Sequence, residues 1–273
     1  MTVDSAAILS VRDLTITFGG IRAVDALSFD VPGRAIVSLI GPNGAGKTTA
    51  LNGISGFVRA SGSVRFAGTE LLRKPSYTRA SLGIGRTFQN LQLFGGMTLL
   101  DNVMTGQHTA LGGNIFFDML RFPVVRRERE ARGRAMDILR SLGIETYAEQ
   151  EVDGLPFGVQ KLAGVARALA VSPRLLLLDE PASGLNRSEV DALGDLVCRL
   201  RDEGDITVLL VEHNMRLVMG ISDGIVVLDQ GMKLMEGAPD AVRADPRVIE
   251  AYLGAVRDGD VVREVQDELA ERS

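Results

Sequence analysis

Gly41-Pro-Asn-Gly-Ala-Gly-Lys-Thr-Thr49 decides how this chain is read. The stretch fits G-x-x-x-x-G-K-[ST], and its flanks are the ones that pattern needs. Ala35-Ile-Val-Ser-Leu-Ile40 before it is apolar and rich in β-branched residues, which predicts a buried strand, and Thr48–Phe57 after it predicts a helix start. Glycines let the backbone curl so that successive N–H groups point inward at phosphate oxygens. Asn43, Gly44, Ala45, Gly46, Lys47, Thr48 and Thr49 are therefore the candidate phosphate cradle. The helix N-terminus adds the positive end of its dipole, Lys47 can reach the outer phosphates, and the Thr48 hydroxyl can ligate Mg²⁺. A glycine-rich strand-to-helix turn matching by accident is the alternative, and the strand and helix on the correct sides weigh against it. The pattern implies a nucleoside triphosphate.

Composition narrows the class. The chain has 273 residues, 45% hydrophobic and 24% charged, an ordinary globular balance with enough apolar material for a sizeable core. Lys+Arg 30 against Asp+Glu 35 gives a net charge of −5, so no overall basic field points to nucleic acid. The single cysteine, Cys198, cannot form an internal disulfide and suggests a reducing compartment. The opening Met-Thr-Val-Asp-Ser lacks signal-peptide character, and no apolar run approaches the ~18 residues of a membrane span. The expectation is a cytosolic protein whose membrane role, if it has one, runs through a partner.

Along the chain, Ile8–Phe18 and Ala23–Val31, separated by Gly19-Gly20, read as strands of an antiparallel layer, with Ser61–Ala67 as a further short strand. Residues 98–164 change to helical periodicity, including an arginine-rich stretch at Arg121–Arg134, in which Arg126, Arg127, Arg129, Arg132 and Arg134 alternate with Glu128 and Glu130 and read as a solvated face, with lipid headgroup contact as the alternative. The last third returns to continuous apolar runs, Leu175–Leu178 and Ile206–Val211, of the kind found in parallel strands covered on both sides. Arg187–Arg201 between them predicts a helix. The expected organisation is one α/β nucleotide-binding domain over residues 1–254, interrupted by a helical subdomain at about 98–164, and a charged tail at 255–273.

Leu175-Leu-Leu-Leu-Asp-Glu180 is a buried strand ending in two acids. In phosphate-loop enzymes a carboxylate at such a strand tip holds Mg²⁺, which suits Asp179, and a second can orient or deprotonate the attacking water, which suits Glu180. A surface Asp-Glu pair at a strand end is the plain alternative.

With these motifs in place the chain resembles the ATP-binding subunit of an ABC transporter across nearly its whole length. In order it carries Phe18 at the adenine-stacking position, the loop Gly41–Thr49, Gln89 in Arg86-Thr-Phe-Gln-Asn90, and Leu155-Pro-Phe-Gly-Val-Gln160 where the signature belongs. Asp179-Glu180, Ser183-Gly-Leu-Asn186 as the D-loop and His213 in Val211-Glu-His-Asn214 follow. The resemblance implies a RecA-like core with a mostly parallel sheet, an antiparallel β layer and a helical subdomain. It implies ATP and Mg²⁺, with Thr48, Gln89 and Asp179 on the metal, and Glu180, His213 and Gln89 in catalysis. It also implies a second ABC ATPase subunit, homo- or heterodimeric, whose ATP is covered by Leu155, Pro156, Phe157, Gly158, Val159 and Gln160 of this chain. Integral membrane permease subunits complete the assembly, with an extracytoplasmic solute-binding protein acting indirectly and no nucleic acid. The location so implied is the cytoplasm, peripheral on the inner face of the cell membrane.

Two motifs depart from the family pattern. The usual signature is Leu-Ser-Gly-Gly-Gln, and here Pro156, Phe157 and Val159 replace serine, glycine and glutamine. Proline offers neither hydroxyl nor backbone donor, and losing one bond to a charged acceptor costs about 1.5–3 kcal/mol. Asn186 stands where aspartate is common. These are read as ordinary variants within one branch, against the alternative of a weakened half-site. Gly85–Phe94, Met97-Thr98, Asp101-Asn-Val103, the insert Gln107–Arg134 and Ala251-Tyr-Leu-Gly254 resemble the branched-chain amino acid importer branch. In the insert, the apolar Ile115–Phe122 is a candidate permease groove, with packing inside the subdomain as the alternative. A soluble ABC ATPase acting as a nucleic-acid or ribosome switch, and an export-side lipid or polysaccharide ATPase, are the competing functions.

Overall fold

A computed structural model describes residues 7–88, 92–108 and 124–255. Gln89, the segment 115–122 and the tail 256–273 lie outside the described residues. In chain order the strands are β1 (Ala7–Phe18), β2 (Ile21–Pro32), β3 (Ile36–Ile40), β4 (Ser61–Phe66), β5 (Thr69–Glu70), β6 (Ile84–Arg86), β7 (Leu175–Asp179), β8 (Thr207–Val211), β9 (Gly224–Asp229) and β10 (Met232–Gly237). The helices are α1 (Lys47–Ser55), α2 (Thr78–Ser81), α3 (Leu99–His108), α4 (Val124–Ser141), α5 (Phe157–Leu169), α6 (Arg187–Asp202), α7 (Met215–Ile221), α8 (Pro239–Ala244) and α9 (Pro246–Ala255). They fall into two compact units, one formed by Met1–Ser76 with Val190–Ser273 and the other by Tyr77–Glu189.

The first unit holds an antiparallel layer in the order β2-β1-β4-β5. β1 buries Leu9 and Val11, then Leu14 and Ile16, so its inward face switches from odd to even positions. Strict alternation forbids that switch unless an extra residue enters. The register shift between Val11 and Leu14, with Asp13 at φ 49°, is that bulge. Beside this layer, β3 pairs in parallel with β8 and with β9, and β10 returns antiparallel to β9. All five residues of β3 and of β8 are buried, as continuous apolar runs in a parallel sheet should be. Helix α1 packs on β1, β2 and β8. Behind β3, Ile40 joins Val218, Ile225, Val227, Val242 and Val248 in one cluster, onto which Met215 and Tyr252 also pack. Helices α8 and α9 thus brace the strand that leads into the phosphate loop.

In the second unit β6 and β7 pair in parallel, from Ile84 opposite Leu175 to Arg86 opposite Leu177. Helix α3 packs on α4 and α5 around Leu99, Leu100, Val103, Ala135, Leu139 and Ala163. Gly106 lets α3 approach α5 closely, since a Cβ there would lie 2.5 Å from the Arg167 carbonyl oxygen. On α4, Arg129, Arg132 and Arg134 are exposed; Arg132 pairs with Glu149 and Arg134 donates to Gln107 at 3.2 Å. This part of the arginine-rich stretch is a solvated face. The structure is therefore α/β, with a mostly parallel sheet, an antiparallel layer and a predominantly helical segment.

Candidate functional site

The phosphate loop connects β3 to α1. Gly46 is the N-cap of α1 at φ 98°, and a Cβ there would meet the Ala23 carbonyl oxygen at 2.4 Å. Gly41 is tighter still, because a Cβ would lie 2.1 Å from the Leu228 carbonyl oxygen. Backbone from β2 and β9 therefore presses directly on the loop, which tolerates only glycine at these points. The turn after β9 fastens it further: the Gly231 amide donates to the Ala45 carbonyl at 3.1 Å, and Asp25 donates to the Gly231 carbonyl at 2.8 Å. Asn43, Gly44, Ala45, Gly46, Lys47, Thr48 and Thr49 all lie on this curl and the opening turn of α1.

The start of α1 carries no side-chain cap and no acidic residue in its first turn. Its leading amides and dipole are not offset by a carboxylate of the helix itself, the arrangement that favours an anionic ligand. The Lys47 side chain is buried, and its ammonium donates to the carbonyls of Gly41 at 2.8 Å and Pro42 at 2.9 Å. It is thus held against the loop mouth rather than extended into solvent. Phe18 closes β1 opposite Ile21 at a hairpin, and its ring is half-exposed.

At the end of β8, Glu212 is wholly buried. Its carboxylate accepts from the amides of His213 at 2.9 Å and Asn214 at 3.1 Å. Asn214 in turn caps α7, accepting from Leu217 at 3.0 Å. These bonds fix the backbone on both sides of His213 and leave its imidazole outward, with 53% of the side chain exposed and Nδ1 3.9 Å from Glu212. The sequence reading singled out His213 and passed over Glu212, whose role depends on its burial.

In the second unit Asp179 ends β7 and is 2% exposed. Its amide donates to the Thr87 hydroxyl at 3.2 Å, and its Oδ2 accepts from Arg86 Nη2 at 3.1 Å. Burial pulls the Arg86 guanidinium below its ordinary range, and the Asp179 charge opposes that pull. The guanidinium also lies 5.1 Å from the centre of the Phe88 ring. Glu180 follows at φ 47°, a left-handed conformation unusual for a residue with a side chain, and its carbonyl accepts from Ser183 at 3.3 Å. Such strain costs on the order of 1–3 kcal/mol and gathers at functional positions.

The signature segment opens α5. Pro156 is the N-cap, extended at ψ 145°, and Phe157 is the first helical residue. The cap position needs no helical N–H from proline, so the departure from serine leaves the helix intact. Gln160 ties the turn together, its amide nitrogen donating to the Pro156 carbonyl at 3.0 Å and its side chain to the Leu155 carbonyl at 2.9 Å. Gly158 packs closely on Glu189, since a Cβ there would lie 2.8 Å from Glu189 Oε1, the end of a side chain that would have to shift. Val159 continues the first turn, partly buried.

Asn186 also has a physical account. Its side-chain oxygen accepts from the Glu189 amide at 3.1 Å, while Glu189 Oε2 accepts from the Asn186 amide at 2.8 Å. This reciprocal pair is a capping box for α6, and an uncharged amide performs the capping.

The ABC transporter family model matches residues 24–183, more than half of the chain, and a model described as branched-chain amino acid ATP-binding cassette transporter matches 232–258. The second stretch covers β10, α8 and α9, the elements that brace β3. The chain is 44% identical over 252 residues to the high-affinity branched-chain amino acid transport ATP-binding protein BraF of Pseudomonas aeruginosa, spanning 92% of this chain and 99% of that one. It is 42% identical over 257 residues to the corresponding protein LivG of Escherichia coli, again over 92% and 99%. Among solved structures, a nucleotide-free ATP-binding cassette from an ABC transporter superposes with a TM-score of 0.80 at 30% identity, covering 90% of this chain and 98% of that one. A dimeric bacterial ABC transporter cassette superposes with a TM-score of 0.74 at 25% identity, covering 85% and 98%. Full-length likeness and the order of the motifs agree: the chain belongs to the ABC transporter family, as one of its ATP-binding cassettes.

Proposed function

We propose that this chain is the ATP-hydrolysing subunit of an importer for branched-chain amino acids or closely related solutes. The observation that carries the reading is the near-complete span of likeness to branched-chain amino acid transport ATP-binding proteins, reaching into the C-terminal helices that brace the phosphate loop. In this reading Asn43, Gly44, Ala45, Gly46, Lys47, Thr48 and Thr49 hold the phosphates and Phe18 stacks on the adenine. Glu180 orients and deprotonates the attacking water, while His213 and Gln89 follow the state of the γ-phosphate.

Thr48, Gln89 and Asp179 are assigned to magnesium. Among the described residues no group of three or more His, Cys, Asp or Glu side chains could hold a metal alone. A divalent ion bound through Asp179 would rely on phosphate oxygens and water for its remaining positions, which suits magnesium. When bound, the ion neutralises charge on the β- and γ-phosphates.

The cassette works as one of a pair, Leu155, Pro156, Phe157, Gly158, Val159 and Gln160 covering the ATP held by the partner. ATP binding closes the pair and hydrolysis reopens it, which drives the permease. Among the described residues no helix is long and apolar enough to cross a membrane, so the reading assigns membrane attachment to permease subunits at the cytoplasmic face. A solute-binding protein on the far side delivers the cargo.

Uptake of radiolabelled leucine into proteoliposomes carrying the permease subunits, both cassettes and the binding protein tests the assignment. ATP-dependent uptake that requires this chain supports it. ATP hydrolysis without uptake of leucine, isoleucine or valine removes the cargo assignment and keeps the motor.

A further inference from the structure

Phe157 is the most conspicuous departure from the family signature, and its ring is half-exposed at the start of α5. The ring is seated on Gly184, in the turn Ser183–Asn186 that precedes α6. A Cβ at Gly184 would lie 2.8 Å from Phe157 Cε1 and 3.3 Å from Cζ. Gly184 also has φ +78°, so glycine is favoured there for both conformation and space. One turn along α5, the Lys161 ammonium lies 5.4 Å from the centre of the same ring. A second contact runs parallel to the first. Glu189, pinned by its capping-box bond to Asn186, brings Oε1 against Gly158. Two adjacent signature residues, 157 and 158, thus engage two points of the D-loop and the helix it begins.

Side-chain capping does not fix the direction of α5. Pro156 contributes no side-chain hydrogen bond at the N-cap, and the first turn contains no acid. The Phe157–Gly184 contact and its Gly158–Glu189 neighbour bear on this helix start, together with Gln160 and the helix packing behind it.

We propose that Phe157 is a positioning residue, whose ring on Gly184 locks the start of α5 to the Ser183–Asn186 turn so that both are presented to the partner cassette as one piece. The inference rests on the paired-cassette reading given above. It explains why a bulky aromatic is accommodated where the family pattern has glycine: the matching space is provided by Gly184. Within the segment that covers the partner's ATP, the Phe157 ring is turned to Gly184, so this residue acts through the aim of the helix amides rather than by touching the nucleotide.

The test uses the full chain in the assembled transporter, with Phe157→Ala, Phe157→Tyr, Gly184→Ala and the Phe157→Ala/Gly184→Ala pair. Affinity of each isolated chain for a fluorescent ATP analogue reports on its own phosphate loop and on folding. Phe157→Ala is expected to leave that affinity within about twofold, to lower kcat of the assembly about tenfold, and to change KM less than about threefold. Phe157→Tyr, which keeps the ring, restores turnover. Gly184→Ala is expected to lower turnover by displacing the ring, and the double variant to be no worse than the poorer single one. Turnover of Phe157→Ala within twofold of wild type, or losses that simply multiply in the double variant, would overturn the proposal. Should Gly184→Ala fail to fold, the Ala and Tyr variants at 157 decide alone. An assembly of unaltered chains without ATPase activity contradicts the motor reading instead, and so is distinguishable.

Discussion

Arg86 Nη2 lies 3.1 Å from Asp179 Oδ2, and the two side chains are only 8% and 2% exposed. They are 93 residues apart in sequence and meet because β6 and β7 are parallel neighbours. Breaking a buried pair by removing one partner strands the other charge, which costs about 3–5 kcal/mol. Arg86→Met should therefore unfold at markedly lower denaturant than wild type. Arg86→Met with Asp179→Asn should lose less than the two single losses added together. Denaturant titration of the four proteins in a double-mutant cycle measures the coupling.

Gly46→Ala places a methyl 2.4 Å from a backbone carbonyl that has no rotamer to escape through. The expected result is loss of nucleotide binding by at least tenfold, with a lower melting temperature, because the loop must move away from β2. Calorimetric titration with ATP checks the first and thermal unfolding the second. Gly44→Ala meets no neighbour but has φ 81°, so it should lose less.

Pro156→Ser installs a hydroxyl at an N-cap whose present residue offers none. A serine there accepts from the helix amides and should stabilise the chain by about 0.5–2 kcal/mol. Turnover of the assembled transporter should stay within about threefold, because α5 is already aimed by other contacts. Conversely, Asn186→Ala removes one half of the α6 capping box and should destabilise by about 0.5–2 kcal/mol, whereas Asn186→Asp should be nearly neutral. Thermal melts compare all three.

Asp245 opens α9, accepting from the Arg247 side chain and from the Arg247 amide at 2.8 Å. These bonds lower its pKa from the ordinary 3.8 to about 2, the side-chain bond first among the causes. A carboxylate depressed on folding contributes stability above its unfolded value and loses it as pH falls through the folded one. Asp245→Asn should therefore flatten the decline in stability between about pH 4 and pH 2, measured by denaturant midpoints across that range.

Much of the fold and site was legible where the determining chemistry is local. Gly41–Thr49, the apolar run into Asp179 and the flanking elements each carry their reason within a few residues. Other features depend on partners distant in sequence. Three-residue β6 is too short for periodicity to show, and β10 is half-exposed along its length without clear alternation. Arg86 in Arg86-Thr-Phe-Gln89 looks like a loop residue until β7 supplies its partner. The bulge at Asp13 left a trace, since buried positions change parity across it. The Asn186–Glu189 capping box is also legible, as N-x-x-E at the start of the helix expected over Arg187–Arg201.

Steady-state ATP hydrolysis by the chain assembled with its permease and partner cassette tests the central claim most directly, with Glu180→Gln as the comparison. The account predicts magnesium-dependent turnover that rises on assembly and falls at least a hundredfold in Glu180→Gln, while ATP binding persists. Turnover undiminished by Glu180→Gln, or an assembly that binds ATP and never hydrolyses it, would contradict the account.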